Sequence, residues 1–355
     1  MLRTFVTIAA LFLAFSLPGT QRGFVGAAAA HDHHAEPQLG GAASAAPKSA
    51  PWGANYFPNV PLVTHDGKTV RFYDDLLKGK KVLVNFIYAL CDKACPLDTA
   101  KMAQVQKLLG SRVGRDIFMY SITLDPAHDT PEALKAYAEQ FGAGPGWLFL
   151  TGKREDIDRV RFKLGERGQK EEHANSVRVG DVTRGQWIRI PLTADANYVV
   201  AEARNTLEPG WSAGKRLKSI AEARRTEVFG PGEILFRNRC SACHTFGKGD
   251  LLGPDLKGVT ERRERDWLLR YLAAPDRMRA NRDPIALELA KKNKVLMPNL
   301  ALTKKELGDL MDYLEVQSRS KPERPQAAQS VPGGGKPPAV GHDHHAQPRH
   351  AGEQK

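Results

Sequence analysis

Cysteine is scarce in this chain, and its scarcity limits the kinds of fold that the sequence can form. Four cysteines in 355 residues are too few for a disulfide scaffold, so hydrophobic cores must hold the folded parts. A hydrophobic content of 41% is sufficient to build them. The long apolar run Phe5–Leu17 is shorter than the roughly 20 residues that a membrane-spanning helix needs.

Aromatic residues are also few, at 8% of the chain, and no basic segment is interleaved with them. Because such interleaving is typical of nucleic-acid binding, we do not expect a nucleic-acid partner. The chain nevertheless carries a formal charge of +12 and has an isoelectric point near 9.5. That positive charge favours an acidic partner or an anionic surface.

One pair of cysteines lies in the motif Cys240-Ser241-Ala242-Cys243-His244. Two cysteines separated by two residues and followed at once by histidine are typical of covalent haem c attachment. Both thiols would bind the haem, and His244 would bind its iron. The alternatives are a chance pair, a redox pair or half of a zinc site, but no second pair lies nearby to complete four thiolate ligands. We expect the positive charge to form a rim around the haem edge.

The segment around this motif resembles a class I cytochrome c. A short helix, the haem motif, a Gly253-Pro254 loop, further helices, a methionine loop and a last helix with a capping box at Thr303–Glu306 follow in order. Met297 is the predicted sixth iron ligand, because it precedes a proline at a suitable spacing from His244. Met278 is the alternative. Histidine and methionine together leave no open iron position, which favours electron transfer.

The other pair, Cys91 and Cys95, follows the apolar, strand-like segment KKVLVNFIYAL and precedes a helical pattern that Gly110 ends. A helix N-terminus at this point would lower the pKa of the thiols. Strands and helices continue to alternate through DIFMYSITLDP, the helix capped by Thr130, GWLFLTG and KREDIDRVRFKLG. This alternation predicts an α/β domain of thioredoxin type, followed by an all-α cytochrome c domain.

Apolar residues at helical spacing predict which faces of the helices are buried. The predicted inward-facing residues are Met102, Val105, Leu108 and Leu109 in the first helix, Leu134, Tyr137, Ala138 and Phe141 in the second, Ile234 and Phe236 before the haem motif, Trp267, Leu268 and Tyr271 after it, and Leu307, Leu310, Met311 and Leu314 in the last helix.

The segments VNFIYALCDKACPLDTAKM and SITLDPAHDTPEALKAYAEQFGA, with WLFLTG and a downstream His173, resemble the SCO/SenC family over about residues 52–204. The family is thioredoxin-like, binds copper and helps to assemble the binuclear copper centre of cytochrome c oxidase. The resemblance implies that Cys91, Cys95 and His173 are copper ligands, and that Asp125 and Asp129 are structural.

The chemistry of these residues agrees with copper binding independently of the family. Two thiolates select Cu(I), and an added imidazole completes a site that also accepts Cu(II). The alternative for His173 is a surface histidine beside Glu171 and Glu172. Arg178 and Arg184 depart from the plainer strand and turn that we expect after His173.

Both ends of the chain have the composition of unfolded segments. Arg3, the apolar run and Ala28-Ala29-Ala30 predict a secretory signal. His-Asp-His-His occurs in each tail, from His31 and from His342, and is either a weak metal-collecting tract or a solvated tail. We divide the chain into five parts: a signal peptide at 1–30, a His/Ala/Pro-rich tether at 31–51, the SCO/SenC-like domain at 52–226, the cytochrome c domain at 227–317 and a disordered tail at 318–355.

The expected protein is an exported copper metallochaperone for the copper-centre subunit of cytochrome c oxidase, with a tethered monohaem electron-transfer domain that exchanges electrons with redox partner proteins. Its expected location is the bacterial periplasm, with anchoring to the inner membrane if the signal is uncleaved. The alternative is a thiol-disulfide oxidoreductase acting on oxidase cysteines, with Cys91 attacking and Cys95 resolving. A third interpretation is a plain electron carrier whose first domain only docks. Covalent fusion alone motivates the hypothesis that the haem exchanges electrons with the copper site.

Overall fold

The computed structural model describes residues 52–91, 95–168, 173–210 and 229–319. The predicted signal peptide, the tether and both histidine tracts lie outside the described residues, as does the predicted boundary at 226/227. Within the described ranges, no helix is long and apolar enough to cross a membrane.

A seven-stranded mixed sheet forms the centre of the first domain. Its strands are β1 (Pro61–Thr64), β2 (Thr69–Arg71), β3 (Lys81–Ile87), β4 (Ile117–Thr123), β5 (Trp147–Thr151), β6 (Ser176–Asp181) and β7 (Gln186–Pro191). They lie in the order β2-β1-β5-β4-β3-β6-β7. The central β3, β4 and β5 are parallel and the outer pairs are antiparallel. The parallel strands are almost entirely buried, as in sheets covered on both faces.

Helices cover both faces of this sheet. They are α1 (Cys95–Leu109), α2 (Pro131–Gln140), α3 (Arg154–Lys163) and α4 (Ala196–Leu207). Leu83 faces a core shared with α1, α2 and α4, whereas Val82 and Val84 face a second core with α3. This division follows from the two-residue period of a strand. The predicted α/β, thioredoxin-like fold is thereby confirmed.

Local signals in the first domain gave a mixed result. The Thr130 hydroxyl accepts from the Ala133 amide at 3.2 Å, so the predicted cap of α2 is confirmed. Gly110 follows α1 with a positive φ of 58°, which confirms the predicted stop. The inward placement of Leu108 was wrong, because this side chain is 51% exposed. Adjacent residues on a helix point about 100° apart, and Leu109 occupies the inward direction.

The second domain is helical. Its helices are α5 (Pro231–Arg239), α6 (Val259–Arg262), α7 (Arg265–Ala273), α8 (Pro275–Ala280), α9 (Pro284–Lys292) and α10 (Lys304–Arg319). The capping box of α10 is confirmed: the Thr303 amide donates to the Glu306 carboxylate at 2.8 Å, and the Glu306 amide donates to the Thr303 hydroxyl at 3.2 Å. α5 and α10 approach each other closely at the backbone, since a Cβ at Gly232 would lie 1.9 Å from the Asp309 carbonyl oxygen.

The core of this domain is built from α5, α7 and α10. Phe236, Trp267, Leu268 and Tyr271 are buried, as predicted. The inward placement of Ile234 was wrong, because it is 47% exposed. Three consecutive apolar residues cannot all face one side of a helix, and the helical period turns Leu235 and Phe236 inward instead.

Candidate metal centre and haem pocket

The first pair of cysteines lies where β3 leads into α1. Cys91 follows the end of β3, and Cys95 is the first residue of α1. Both are free thiols and both are buried, with Cys91 8% exposed and Cys95 fully enclosed. The structure therefore agrees with the expectation of two thiols between a buried strand and a helix N-terminus.

His173 lies against these thiols. Its Nε2 atom is 3.2 Å from the Cys95 sulfur, although 78 residues separate the two in the sequence. The imidazole is 8% exposed, which rules out the alternative of a surface histidine. Tyr88 lies on another side, with its ring centroid 6.1 Å from that of the imidazole and the two rings nearly perpendicular. Among the described residues, the other ring nitrogen of His173 is buried without a hydrogen-bond partner.

The two thiols differ in acidity because they share a hydrogen bond. The hydrogen bond with Cys95 lowers the pKa of Cys91, and contacts with His173 and Tyr88 act in the same direction against burial. The same hydrogen bond and burial raise the pKa of Cys95, so the predicted lowering of the pKa was wrong for this thiol. The pair therefore favours a thiolate at Cys91 and a proton on Cys95.

A buried ion pair holds the segment that follows His173. The Arg178 guanidinium donates to the Glu166 carboxylate at 2.6 Å. Arg178 also donates to the carbonyls of Leu164 and Ser176, and the Glu166 carboxylate accepts from the Ala174 amide at 3.4 Å. The arginine that looked atypical in the sequence therefore ties the start of β6 to the end of α3.

The donor set of the cluster fits copper, because two thiol sulfurs and an imidazole are ligands that Cu(I) prefers. In this structure the three side chains form a hydrogen-bonded cluster. Within the part of the chain that the structure describes, no group of three His, Cys, Asp or Glu residues is arranged as a complete metal centre. Asp129 is engaged elsewhere, since its carboxylate accepts from the Ala89 amide and the Thr123 hydroxyl. Asp125 lies 3.0 Å from the His128 ring, which agrees with a structural role.

The second pair of cysteines lines a cavity of about 480 Å³ in the helical domain. Cys240, Cys243 and His244 all line it. Its volume is within the range of cofactor pockets. Burial raises the pKa of both thiols to about 12, so they remain protonated at neutral pH. The residues present fit a covalently attached haem.

The ring of His244 is oriented by the loop that follows it. Its Nδ1 lies 2.9 Å from the Pro254 carbonyl oxygen, to which it donates when protonated there. That hydrogen bond fixes the tautomer and leaves Nε2 as the metal-binding nitrogen. The loop must also approach closely, because a Cβ at Gly253 would lie 2.5 Å from the ring carbon Cε1. Glycine at this position therefore makes room for the imidazole.

The two candidate methionines have different surroundings. Met297 is among the residues that line the cavity, and its carbonyl accepts from Arg279 at 3.1 Å. Met278 packs on the core of the helical domain, and it is not among the described residues that line the cavity. The geometry thus favours Met297. Cationic residues outnumber acidic ones in the lining of the same cavity, in agreement with the expected basic rim: Arg239, Lys257, Arg262, Arg263, Arg279 and Lys292 against Asp250, Asp255 and Glu288.

Comparison with protein families assigns the two sites to two different families. Residues 53–181 match the SCO1/SenC family model, and residues 230–318 match the cytochrome c family model.

The chain joins an SCO1/SenC domain to a cytochrome c domain.

Individual relatives match the SCO1/SenC domain. It is 38% identical over 100 residues to the SCO1 protein homolog of Bacillus subtilis, which covers 28% of this chain and 50% of that protein. It is 33% identical over 128 residues to protein sco1 of Schizosaccharomyces pombe, covering 36% and 41%. The chain spans about half the length of the first curated relatives that it matches. A solved SCO1/SenC family lipoprotein from Bacillus anthracis is 26% identical, with a TM-score of 0.37, over 44% of this chain and 97% of that one.

The SCO1/SenC domain and the cytochrome c domain share a packed interface. Gln104 on α1 donates to the Ser241 carbonyl, inside the haem motif, at 2.9 Å. Ala242 and Val295 of the cytochrome c domain are buried in the core that contains α1. Leu97, also on α1, lines the same cavity as Cys243. Sequence reasoning missed this interface, because each of these residues fits the pattern of its own domain.

Proposed function

We propose that this chain is an exported copper-binding protein that delivers copper to the copper-centre subunit of cytochrome c oxidase. Cys91, Cys95 and His173 are the proposed ligands, and Cys240, Cys243, His244 and Met297 are the proposed haem residues. The proposed location is the bacterial periplasm, and the predicted secretory signal that begins with Arg3 supports it.

One observation carries the copper assignment: the imidazole of His173 lies 3.2 Å from the Cys95 sulfur inside a buried pocket. Simple exchange between a dithiol and a disulfide does not require this third group. Two sulfurs and one imidazole nitrogen do form a soft, three-coordinate site for Cu(I). The SCO1/SenC domain assignment supports the same chemistry.

The cytochrome c domain supplies one-electron chemistry when haem is bound. Two residues of the cavity are placed to bind the haem iron. His244 is oriented by the Pro254 carbonyl, and Met297 lies on the cavity wall. The excess of cationic over acidic residues around the cavity supports docking of acidic redox partner proteins.

Anaerobic competition for Cu(I) with a chromophoric chelator tests the proposal. The haem-loaded, reduced chain without its two histidine tails is compared with the same chain carrying His173→Ala or His65→Ala. His65 is the matched control, since it lies at the end of the sheet and its ring accepts from the Phe149 amide at 3.2 Å. We expect one tightly held copper, weakened by His173→Ala and unaffected by His65→Ala.

The second candidate is thiol-disulfide exchange on oxidase cysteines. The difference in exposure between Cys91 and the fully enclosed Cys95 favours it, because the outer thiol attacks and the inner one resolves. Weak copper binding that His173→Ala leaves unchanged, together with reduction of a disulfide-bonded oxidase peptide, would establish this function instead.

A further inference from the structure

A single helix takes part in both sites. α1 begins with Cys95, whose sulfur lies against His173, and two residues later Leu97 lines the cavity of the haem motif. Leu97 is 9% exposed. Two residues of chain span at most about 7 Å, so the Cα atoms of Cys95 and Leu97 lie less than one helical turn apart.

The position of α1 against the haem motif is fixed by packing as well as by hydrogen bonds. Gln104 lies farther along α1 and binds the Ser241 carbonyl at 2.9 Å. Ala242 is 4% exposed and belongs to the same core as α1. On another side of the interface, Gln140 donates to the Lys294 carbonyl. An apolar core framed by hydrogen bonds holds two domains in one arrangement, whereas a linker alone would leave them free to separate.

The charges on α1 reach both sites. Asp98 is buried, and its charge interacts with those of Cys91 and His173. Lys101, one turn later, is also buried, and its charge lowers the pKa of Cys240 and Cys243 against the larger effect of burial.

We propose that Leu97 is the contact across which a single electron passes from the haem to copper held by Cys91, Cys95 and His173. The proposal rests on the proposed function. Ferrous haem loses one electron and Cu(II) gains it, which yields ferric haem and Cu(I) with no bond broken and no proton moved. A one-electron redox protein re-reduces the haem. Dithiol oxidation matches less well, because it releases two electrons and two protons and the chain has one haem motif.

Flash photoreduction of the full, haem-loaded chain with Cu(II) bound tests this step. A photosensitiser places one electron on the haem, and the absorbance of the haem then reports its reoxidation. We expect a first-order decay whose rate does not depend on protein concentration. Leu97→Ala should slow the decay severalfold and Leu97→Met should restore most of the rate. Leu108→Ala should leave it unchanged, since Leu108 lies on the same helix but is 51% exposed.

A copper-free measurement checks the position of Leu97 independently. Imidazole binding to the ferric haem should be faster in Leu97→Ala than in the parent chain or in Leu108→Ala, because the cavity wall is opened. Equal rates in all three proteins would show that Leu97 does not seal the pocket and would overturn the proposal.

The outcomes separate the two claims. A chain that binds copper but transfers the electron at a rate proportional to protein concentration, or at the same rate in Leu97→Ala, disproves the role of Leu97 and leaves the copper function standing. A chain that retains no copper disproves the proposed function, and the electron-transfer step with it.

Discussion

Arg178 and Glu166 form an ion pair of 2.6 Å, with 4% and 3% of their side chains exposed. Glu166 also binds the amide of Ala174, the residue next to His173. The pair therefore links β6, which carries Arg178, to the backbone beside the His173 imidazole. Burial lowers the pKa of Arg178, and the contact with Glu166 opposes that effect.

Loss of this pair should weaken both the fold and the copper site. Arg178→Ala leaves the Glu166 carboxylate buried without its counter-ion, so we expect the free energy of unfolding to fall by about 3–5 kcal/mol. The copper affinity should fall as well, because the segment after His173 loses its anchor. Denaturant unfolding and the Cu(I) competition measure the two effects.

Arg159→Ala is the control: that residue pairs with Asp156 at 3.8 Å and is 65% exposed, so its loss should cost about 1 kcal/mol or less. Equal effects of the two substitutions would contradict the anchoring role.

Removal of Met297 should open the iron coordination of the holoprotein. Met297→Ala takes away the thioether on the cavity wall, so we expect a lower haem potential and rapid binding of external imidazole. Redox titration and absorbance spectra measure these changes. Met278→Leu keeps the volume of a side chain that packs only on the domain core, and should change neither. A lowered potential in the Met278 variant alone would reverse the assignment of the ligand.

Gly253→Ala should disturb the iron-binding histidine. The added methyl group would lie 2.5 Å from Cε1 of His244, so the ring or the loop must move. We expect less haem-loaded protein on expression and a loss of about 1–3 kcal/mol in unfolding free energy. Gly308→Ala is the matched control, because a Cβ there meets nothing within 4 Å. Since Gly308 lies inside α10, its replacement should stabilise the domain by about 0.5–1 kcal/mol.

Asp255 should make the cytochrome c domain sensitive to acid. Burial raises the pKa of Asp255, but hydrogen bonds from the amides of Gly247 and Lys257 and from the Thr245 hydroxyl together lower it well below its usual value. A carboxyl group whose pKa is lowered on folding stabilises the protein above the unfolded pKa of about 4, and the contribution is lost as the pH falls further.

The corresponding variant is Asp255→Asn. We expect it to lose about 1–2 kcal/mol of unfolding free energy at pH 7, since the site is partly open to solvent. The difference from the parent chain should shrink as the pH falls from 5 towards 2, as followed by denaturant titrations across that range. Asp312→Asn is the control, because the Asp312 side chain is 79% exposed. A difference that stays constant with pH would show that the charge of Asp255 is unimportant.

Helix caps and helix ends could be predicted from the sequence, because their signals lie within a few residues of each other. The hydroxyl cap at Thr130, the capping box at Thr303–Glu306 and the glycine stop at Gly110 depend on residues a few positions apart. The order of strands and helices followed from hydrophobic period in the same way. α4 was missed although its local signals are present: Asp195 caps it by accepting from two amides, and its apolar positions Val199, Ala203 and Leu207 recur about once per turn.

The long-range contacts were not readable in this way. Nothing in the local pattern of Arg178 shows that its partner is Glu166, and nothing near Gln104 indicates the Ser241 carbonyl. His173 could be associated with the two cysteines only through the resemblance of the surrounding segments to a family. Such contacts depend on the three-dimensional path of the chain, which brings distant residues together after the local elements have formed.

The close approach of Gly232 to the Asp309 backbone has a consequence for biosynthesis. In the sequence, α5 begins the cytochrome c domain and α10 ends it. Their contact therefore forms only after α10 has been synthesised and has packed against α5. Cys240 and Cys243 emerge earlier from a chain that is synthesised from its N-terminus. Until α10 has docked, the cavity beside the two thiols lacks the part of its wall that Leu310 and Leu314 supply.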